Sequence, residues 1–253
     1  MLKTILADLS KSFTKADMKT VVVHPSDTNR LRVSCCTDDK QYYVFGESIA
    51  EGWTEKEFAF RDWTSISSII SSFYNHSDPN ACVMTLERND EDYPTTLKVK
   101  NGRMRLTHYL QNYTFISRQD DLLNTYKGKK FQLKDFDENY FTDFDADTMA
   151  RISKLSSLTG EKHFKVGLED GDLYFYFGDS NKTIDNAKIC VCENYQVEFK
   201  DKGLFFSVDY LAIAVNSLKD QNMKIKYDGG LLTICGENEI SKKVMAVVGK
   251  KEV

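Results

Sequence analysis

Residues of like type recur along this chain at one offset, and a recurrence in fixed register constrains the fold more than any other feature. Phe58, Asp62, Trp63 and Ile66 return as Phe205, Asp209, Tyr210 and Ile213, an offset of 205 − 58 = 147. Leu2, Ile5 and Lys15 return as Met149, Ile152 and Lys162, and 152 − 5 is again 147. Leu6 and Leu9 break the match, falling on Ser153 and Ser156. Two helical stretches sharing one frame are what duplication of a module leaves behind. The 253 residues are enough for two domains of ordinary size. The sequence therefore predicts similar domains over 1–116 and 143–253, joined by a connector over 117–142.

Periodicity predicts the same order of elements in both halves. Leu2, Ile5, Leu6, Leu9 and Phe13 form one apolar stripe of a helix over 1–16. At about 100° per residue, Lys11 and Lys15 project near the opposite side. Strand-like runs follow at 19–24, 30–36, 41–45 and 57–60, then a helix over 62–73 with Asp62 as N-cap. Further strands are predicted at 82–87, 95–100 and 103–109, the last two joined by a hairpin at Asn101–Gly102. In the second half, Asp145 or Asp147 caps a helix running to Leu158, and strands follow at 164–168, 173–177, 187–193 and 196–199. A helix over 208–219 precedes strands at 223–227, 231–235 and 243–248. Asp170–Gly171 and Asp228–Gly229–Gly230 read as turns. The connector is polar, carries Lys127, Lys129 and Lys130, and has Leu122, Leu123 and Phe131 as its apolar points. The class is α+β.

Catalytic and metal chemistry find no foothold in the sequence. It has no phosphate-binding glycine loop, no HExxH, no GxSxG and no GxGxxG after a strand. The histidines His24, His76, His108 and His163 share no context. The six cysteines lack zinc-ligand spacing and lie in strand-like runs, which predicts buried free thiols. The expectation is a protein that is not an enzyme and has no cofactor and no metal. No apolar run approaches the roughly 20 residues of a membrane span. The first residues mix charge with apolar positions, which predicts a cytoplasmic location. A net charge of −4 argues against a surface that is basic all over, though not against a local basic face.

Three segments carry a resemblance to a known family. The first is the alternating run and helix over 58–73, and the second is 144–155 with the strands after it. The third is 205–211 followed by 225–234 and 243–248. Taken in order they cover most of the chain, and the whole resembles the DNA sliding clamps, in particular those of tailed bacteriophages and the related proliferating-cell nuclear antigen. The resemblance implies the DNA-clamp fold: two similar domains, each with two helices packed on antiparallel sheets, assembling as a ring. Chains of this length in that family form a homotrimer around double-stranded DNA without reading its sequence. It also implies a replicative DNA polymerase held as processivity partner, a clamp-loader ATPase, and no membrane.

The resemblance assigns candidate residues as well. Helices would line the ring, so Lys11, Lys15, Arg61, Arg151, Lys154, Lys162 and Lys219 become the cations facing DNA. Each of these, read singly, is an ordinary solvated charge. Partner peptides would dock near the connector and the last strand, at Cys36, Tyr42, Leu122, Leu123, Val247 and Val248. Ordinary packing accounts equally well for each of those. Subunits would meet edge to edge, through Arg103, Arg105 and Thr107 on one strand and Ile189 and Val191 on another. Two other readings keep the same rhythm of helices and strands: a non-enzymatic viral structural or adaptor protein, and a processivity factor that does not encircle DNA.

Overall fold

A computed structural model describes residues 20–26, 29–51, 53–74, 82–111, 125–126, 129–130, 141–178, 186–197, 199–200, 202–239 and 241–251. The predicted N-terminal helix, with Lys11 and Lys15, lies outside the described residues, as do Leu122 and Leu123. The chain divides into two compact units. The first comprises Met1–Asp38, Tyr43–Leu133 and Glu239–Lys242, and the second Asp39–Tyr42, Lys134–Asn238 and Lys243–Val253.

In the first unit, β1 (Val21–Ser26), β2 (Arg30–Cys36), β3 (Tyr42–Ile49) and β4 (Phe58–Phe60) lie side by side in the order β3–β2–β1–β4. The pairings of β1 with β2 and with β4 are antiparallel, Val22 facing Ser34 on one side and Ala59 on the other. Val21, Val22 and Val23 are all buried although successive side chains leave opposite faces, so this part of the sheet is covered on both sides. Helix α1 (Trp63–Tyr74) follows β4 directly. Asp62 caps it as expected: its carboxylate accepts from the Ser65 N–H at 3.3 Å and from the Ser65 hydroxyl at 2.8 Å. Trp63 then turns into the core, its ring 4.9 Å from Phe60. A three-stranded antiparallel sheet completes the described part of this unit: β5 (Cys82–Arg88), β6 (Pro94–Asn101) and β7 (Met104–Tyr109), in that order. Within the connector, β8 (Thr125–Tyr126) and β9 (Lys129–Lys130) form a short ladder.

In the second unit, β10 (Thr142–Asp143) precedes α2 (Ala146–Thr159), β11 (His163–Glu169), β12 (Asp172–Phe177) and β13 (Ala187–Cys192). Then come β14 (Phe205–Ser207), α3 (Val208–Ser217), β15 (Asn222–Tyr227), β16 (Leu231–Glu237) and β17 (Ser241–Val248). One sheet runs β13–β12–β11–β14, and β10, β15, β16 and β17 lie side by side in that order. Strand β12 shows why the pattern works: Leu173, Phe175 and Phe177 go inward and Tyr174 and Tyr176 outward. The turn before it places Asp170 at φ 51° and Gly171 at φ 91°, the doubled left-handed conformation of a tight two-residue hairpin. The core is aromatic, with Phe164 stacked on Phe175 at 4.3 Å and Phe206 edge-on to Tyr227 at 5.5 Å.

Two expectations need correction. Residues 196–199 do not appear as a strand. A side chain links this segment to β15 instead: the Tyr195 hydroxyl donates to the Tyr227 carbonyl at 2.8 Å and accepts the Tyr227 N–H at 2.6 Å. The Phe199 ring meets Tyr227 edge-on at 4.4 Å. The second concerns the repeat frame. Trp63, Ile66 and Ser67 are buried in α1 and Leu211, Ala214 and Val215 in α3, an offset of 211 − 63 = 148. The like-for-like residues Tyr210 and Ile213 are only half-buried. Helix α3 begins at Val208, capped by Ser207, whose hydroxyl accepts from the Tyr210 N–H at 3.3 Å. Asp209 therefore falls inside its first turn rather than at its cap.

Candidate functional site

The candidate DNA-facing cations of the second unit sit on or beside its two helices. Helix α2 starts where Asp145, in extended conformation, accepts the Thr148 N–H at 2.6 Å. Hydrogen bonds from Thr148 hold the Asp145 carboxyl below the usual range, burial opposes them slightly, and Arg151 adds to the effect. The helix ends at Gly160, whose φ of 73° closes the last turn in the left-handed region. Met149 and Ile152 face the core. Arg151 and Lys154 are exposed, three residues apart, and share a stripe with exposed Asp147 and Leu158. That stripe carries two positive charges and one negative, a modest excess. Lys162 is exposed beyond the helix, and its carbonyl accepts the Val208 N–H at 3.0 Å, fixing the start of α3. Lys219 is exposed just past the end of α3, and α2 packs against α3.

Arg61, in the first unit, is exposed immediately before the α1 cap. The exposed serines of α1 turn their protons back into the chain. Ser65 donates to Asp62, Ser68 to the Thr64 carbonyl at 3.2 Å, and Ser72 to the Ser68 carbonyl at 2.9 Å.

The strands proposed for subunit contact are both sheet edges. Strand β7 pairs with β6 alone, and β13 with β12 alone, among the described residues. Arg103, Arg105 and Thr107 are exposed, and Ile189 and Val191 are half-buried. The same edge position corrects one thiol expectation. Cys35, Cys36, Cys82 and Cys235 are buried, but Cys190 is exposed because it points to the outer face of an edge strand. Burial first, then Asp172 and Glu193, push the Cys190 thiol up.

The proposed peptide-docking residues are for the most part interior. Cys36, Tyr42 and Val247 are 4%, 0% and 0% exposed, while Val248 is half-buried and its N–H donates to the Gln41 carbonyl at 2.8 Å. Tyr42 stacks on Tyr210 with ring centres 5.4 Å apart, and the Tyr210 hydroxyl donates to Asp39 at 3.0 Å. Sequence reasoning singled out Tyr210 only as an echo of Trp63. The one-residue shift of the buried face leaves Tyr210 half-exposed, where Trp63 is core.

A further group of cations went unremarked in the sequence. Lys98 and Lys100 alternate with Leu97 and Val99 on β6, which puts both lysines on the outer face. Lys98 pairs with Glu87 on β5, and Lys100 lies in one cross-strand row with Val83 and Arg105. The alternation of lysine with buried aliphatic residues was the available signal.

No family model and no curated protein sequence matches the chain. Solved structures do. The chain is similar to a PCNA from A. fulgidus, solved with the C-terminal region of FEN-1 bound: 13% identity, TM-score 0.61, 99% of this chain and 97% of that one covered. It is also similar to the proliferating cellular nuclear antigen of Entamoeba histolytica, at 12% identity and TM-score 0.59, with 98% of this chain and 96% of that one covered. The fold is the α+β DNA-clamp fold.

Proposed function

We propose that this chain is a DNA sliding clamp of the tailed-phage kind, a homotrimeric ring that encircles double-stranded DNA. The ring tethers a replicative DNA polymerase, is placed on DNA by a clamp-loader ATPase, and performs no catalysis. It works in the cytoplasm, the host's if the source is viral. The observation that carries this reading is the clamp fold extending over 99% of the chain at a TM-score of 0.61. The two free strand edges, β7 in one unit and β13 in the other, support head-to-tail closure, since each needs a partner and neither finds one among the described residues. The domains run over 1–116 and 143–253, and the connector over 117–142 passes between them.

Physically, the ring separates retention from contact. A threaded duplex cannot leave sideways, so the contacts to it can stay weak and independent of sequence. Lys11, Lys15, Arg61, Arg151, Lys154, Lys162 and Lys219 supply that contact. Partner peptides dock by the connector and the last strand, at Leu122, Leu123 and Val248, with Cys36, Tyr42 and Val247 behind them. The test is retention on DNA. Loaded protein should stay on closed circular DNA and run off the same DNA once it is cut, and the native mass should be three times 29.1 kDa. Equal retention on both DNA forms refutes encirclement.

A further inference from the structure

Free charge gathers at one end of each unpaired strand edge, and its sign is opposite on the two. At the β6–β7 hairpin, Lys100, Arg103 and Arg105 are exposed, and none has an ion-pair partner among the described residues. At the far end of β13, Asp170, Asp172 and Glu193 sit together, because Leu173 pairs with Cys192 and so brings the β11–β12 turn beside Glu193. Asp172 accepts the Asn194 N–H at 2.9 Å, which fixes its carboxylate there. None of these three acids forms an ion pair among the described residues, and the upward push of Asp172 and Glu193 on the Cys190 thiol reflects the negative field they leave. At the opposite end of β13, Lys188 is already paired with Glu169.

We propose that the occupant of the basic β7 edge is the β13 edge of a second copy, locked by Lys100, Arg103 and Arg105 against Asp170, Asp172 and Glu193. This rests on the clamp reading and adds what holds its junctions. Both strands are six residues long. Laid antiparallel, the Arg105 end of β7 meets the Cys192 end of β13, so cations face acids. Laid parallel, Arg103 and Arg105 meet Lys188, and like charges oppose. The charges thus select one strand direction and make every junction dependent on ionic strength, since exposed pairs are screened by salt. An acidic edge cannot join an acidic edge, so closure runs head to tail.

The experiment is native mass by light scattering on the whole chain across a salt series. Wild type should assemble at low salt and lose mass as salt rises. Arg103→Glu with Arg105→Glu should weaken assembly by at least about tenfold at low salt, as should Asp172→Lys with Glu193→Lys. All four changes in one chain should restore it, because each junction then regains opposite charges. Glu193→Arg with Arg105→Glu repeats the test while leaving the Asp172 hydrogen bond intact, and circular dichroism confirms that each variant folds. An assembled wild type that ignores salt, or a swap that fails to rescue folded variants, overturns the lock and leaves the clamp reading standing. A wild type that stays monomeric at all concentrations overturns both.

Discussion

Replacing Tyr195 with Phe isolates a single hydroxyl that bridges two segments of the second unit. Tyr195 is 8% exposed, and its hydroxyl holds both backbone groups of Tyr227, accepting one proton at 2.6 Å and giving one at 2.8 Å. A typical intramolecular hydrogen bond contributes about 1 kcal/mol net, so losing two costs about 2 kcal/mol. In a chain of this size that corresponds to a fall in Tm of about 4–8 °C. Urea unfolding of Tyr195→Phe followed by circular dichroism reads this directly, with Tyr109→Phe as control because Tyr109 is 76% exposed. The same hydroxyl gives a pH signature. Burial pushes the Tyr195 phenol up to about 12 from an ordinary 10.0. A raised folded-state pKa means the contribution is whole below 10 and disappears as pH climbs toward 12, and the Phe variant should lack that part of the alkaline loss. A destabilisation under about 0.5 kcal/mol refutes the idea that this side chain replaces a strand pairing.

Other perturbations test separate parts of the structure. Asp145→Ala should cost about 1 kcal/mol by uncapping α2, measured by urea unfolding. Because the carboxyl is held below its ordinary value, the wild-type contribution is present at neutral pH and is lost as pH falls through the lowered pKa; Asp145→Asn should not show that acid loss. Gly249→Ala places a methyl 2.6 Å from Phe206 Cζ and 2.8 Å from Leu204 Cβ, and with Phe206 fully buried the cost should be about 1–3 kcal/mol in the same assay. Arg151→Glu with Lys154→Glu should leave unfolding within about 0.5 kcal/mol of wild type, since both side chains are exposed, yet shorten processive synthesis on primed circular DNA. Unchanged product length removes these two residues from the DNA-facing set.

Much of the fold was legible because it is local. The N-caps Asp62 and Asp145, the hairpins at Asn101–Gly102 and Asp170–Gly171, and the alternation of β12 are each set by neighbouring residues. The missed strand at 196–199 failed for the opposite reason. Its partner in space, Tyr227, lies 32 positions along the chain from Tyr195 and is engaged by a side chain, which no period reveals. The repeat was readable as residue type but not as burial. Trp63 and Tyr210 match by letter, yet α3 starts earlier relative to its buried face and rotates Tyr210 toward Asp39 and Tyr42. For the candidate site, the exposed cations of α2 followed from helical spacing. Lys98 and Lys100 did not come forward, because two lysines in a strand look ordinary until Arg105 is known to lie beside Lys100.

The back-bonded serines of α1 bear on how a polyanion would experience that surface. Ser65, Ser68 and Ser72 have each committed their one proton to the helix itself. A passing phosphate thus finds outward lone pairs and no hydroxyl proton aimed at it from those residues. Nothing at those steps can grip and then have to let go, so the energy along such a face has shallow corrugation. A surface of this kind acts as a bearing rather than a ratchet.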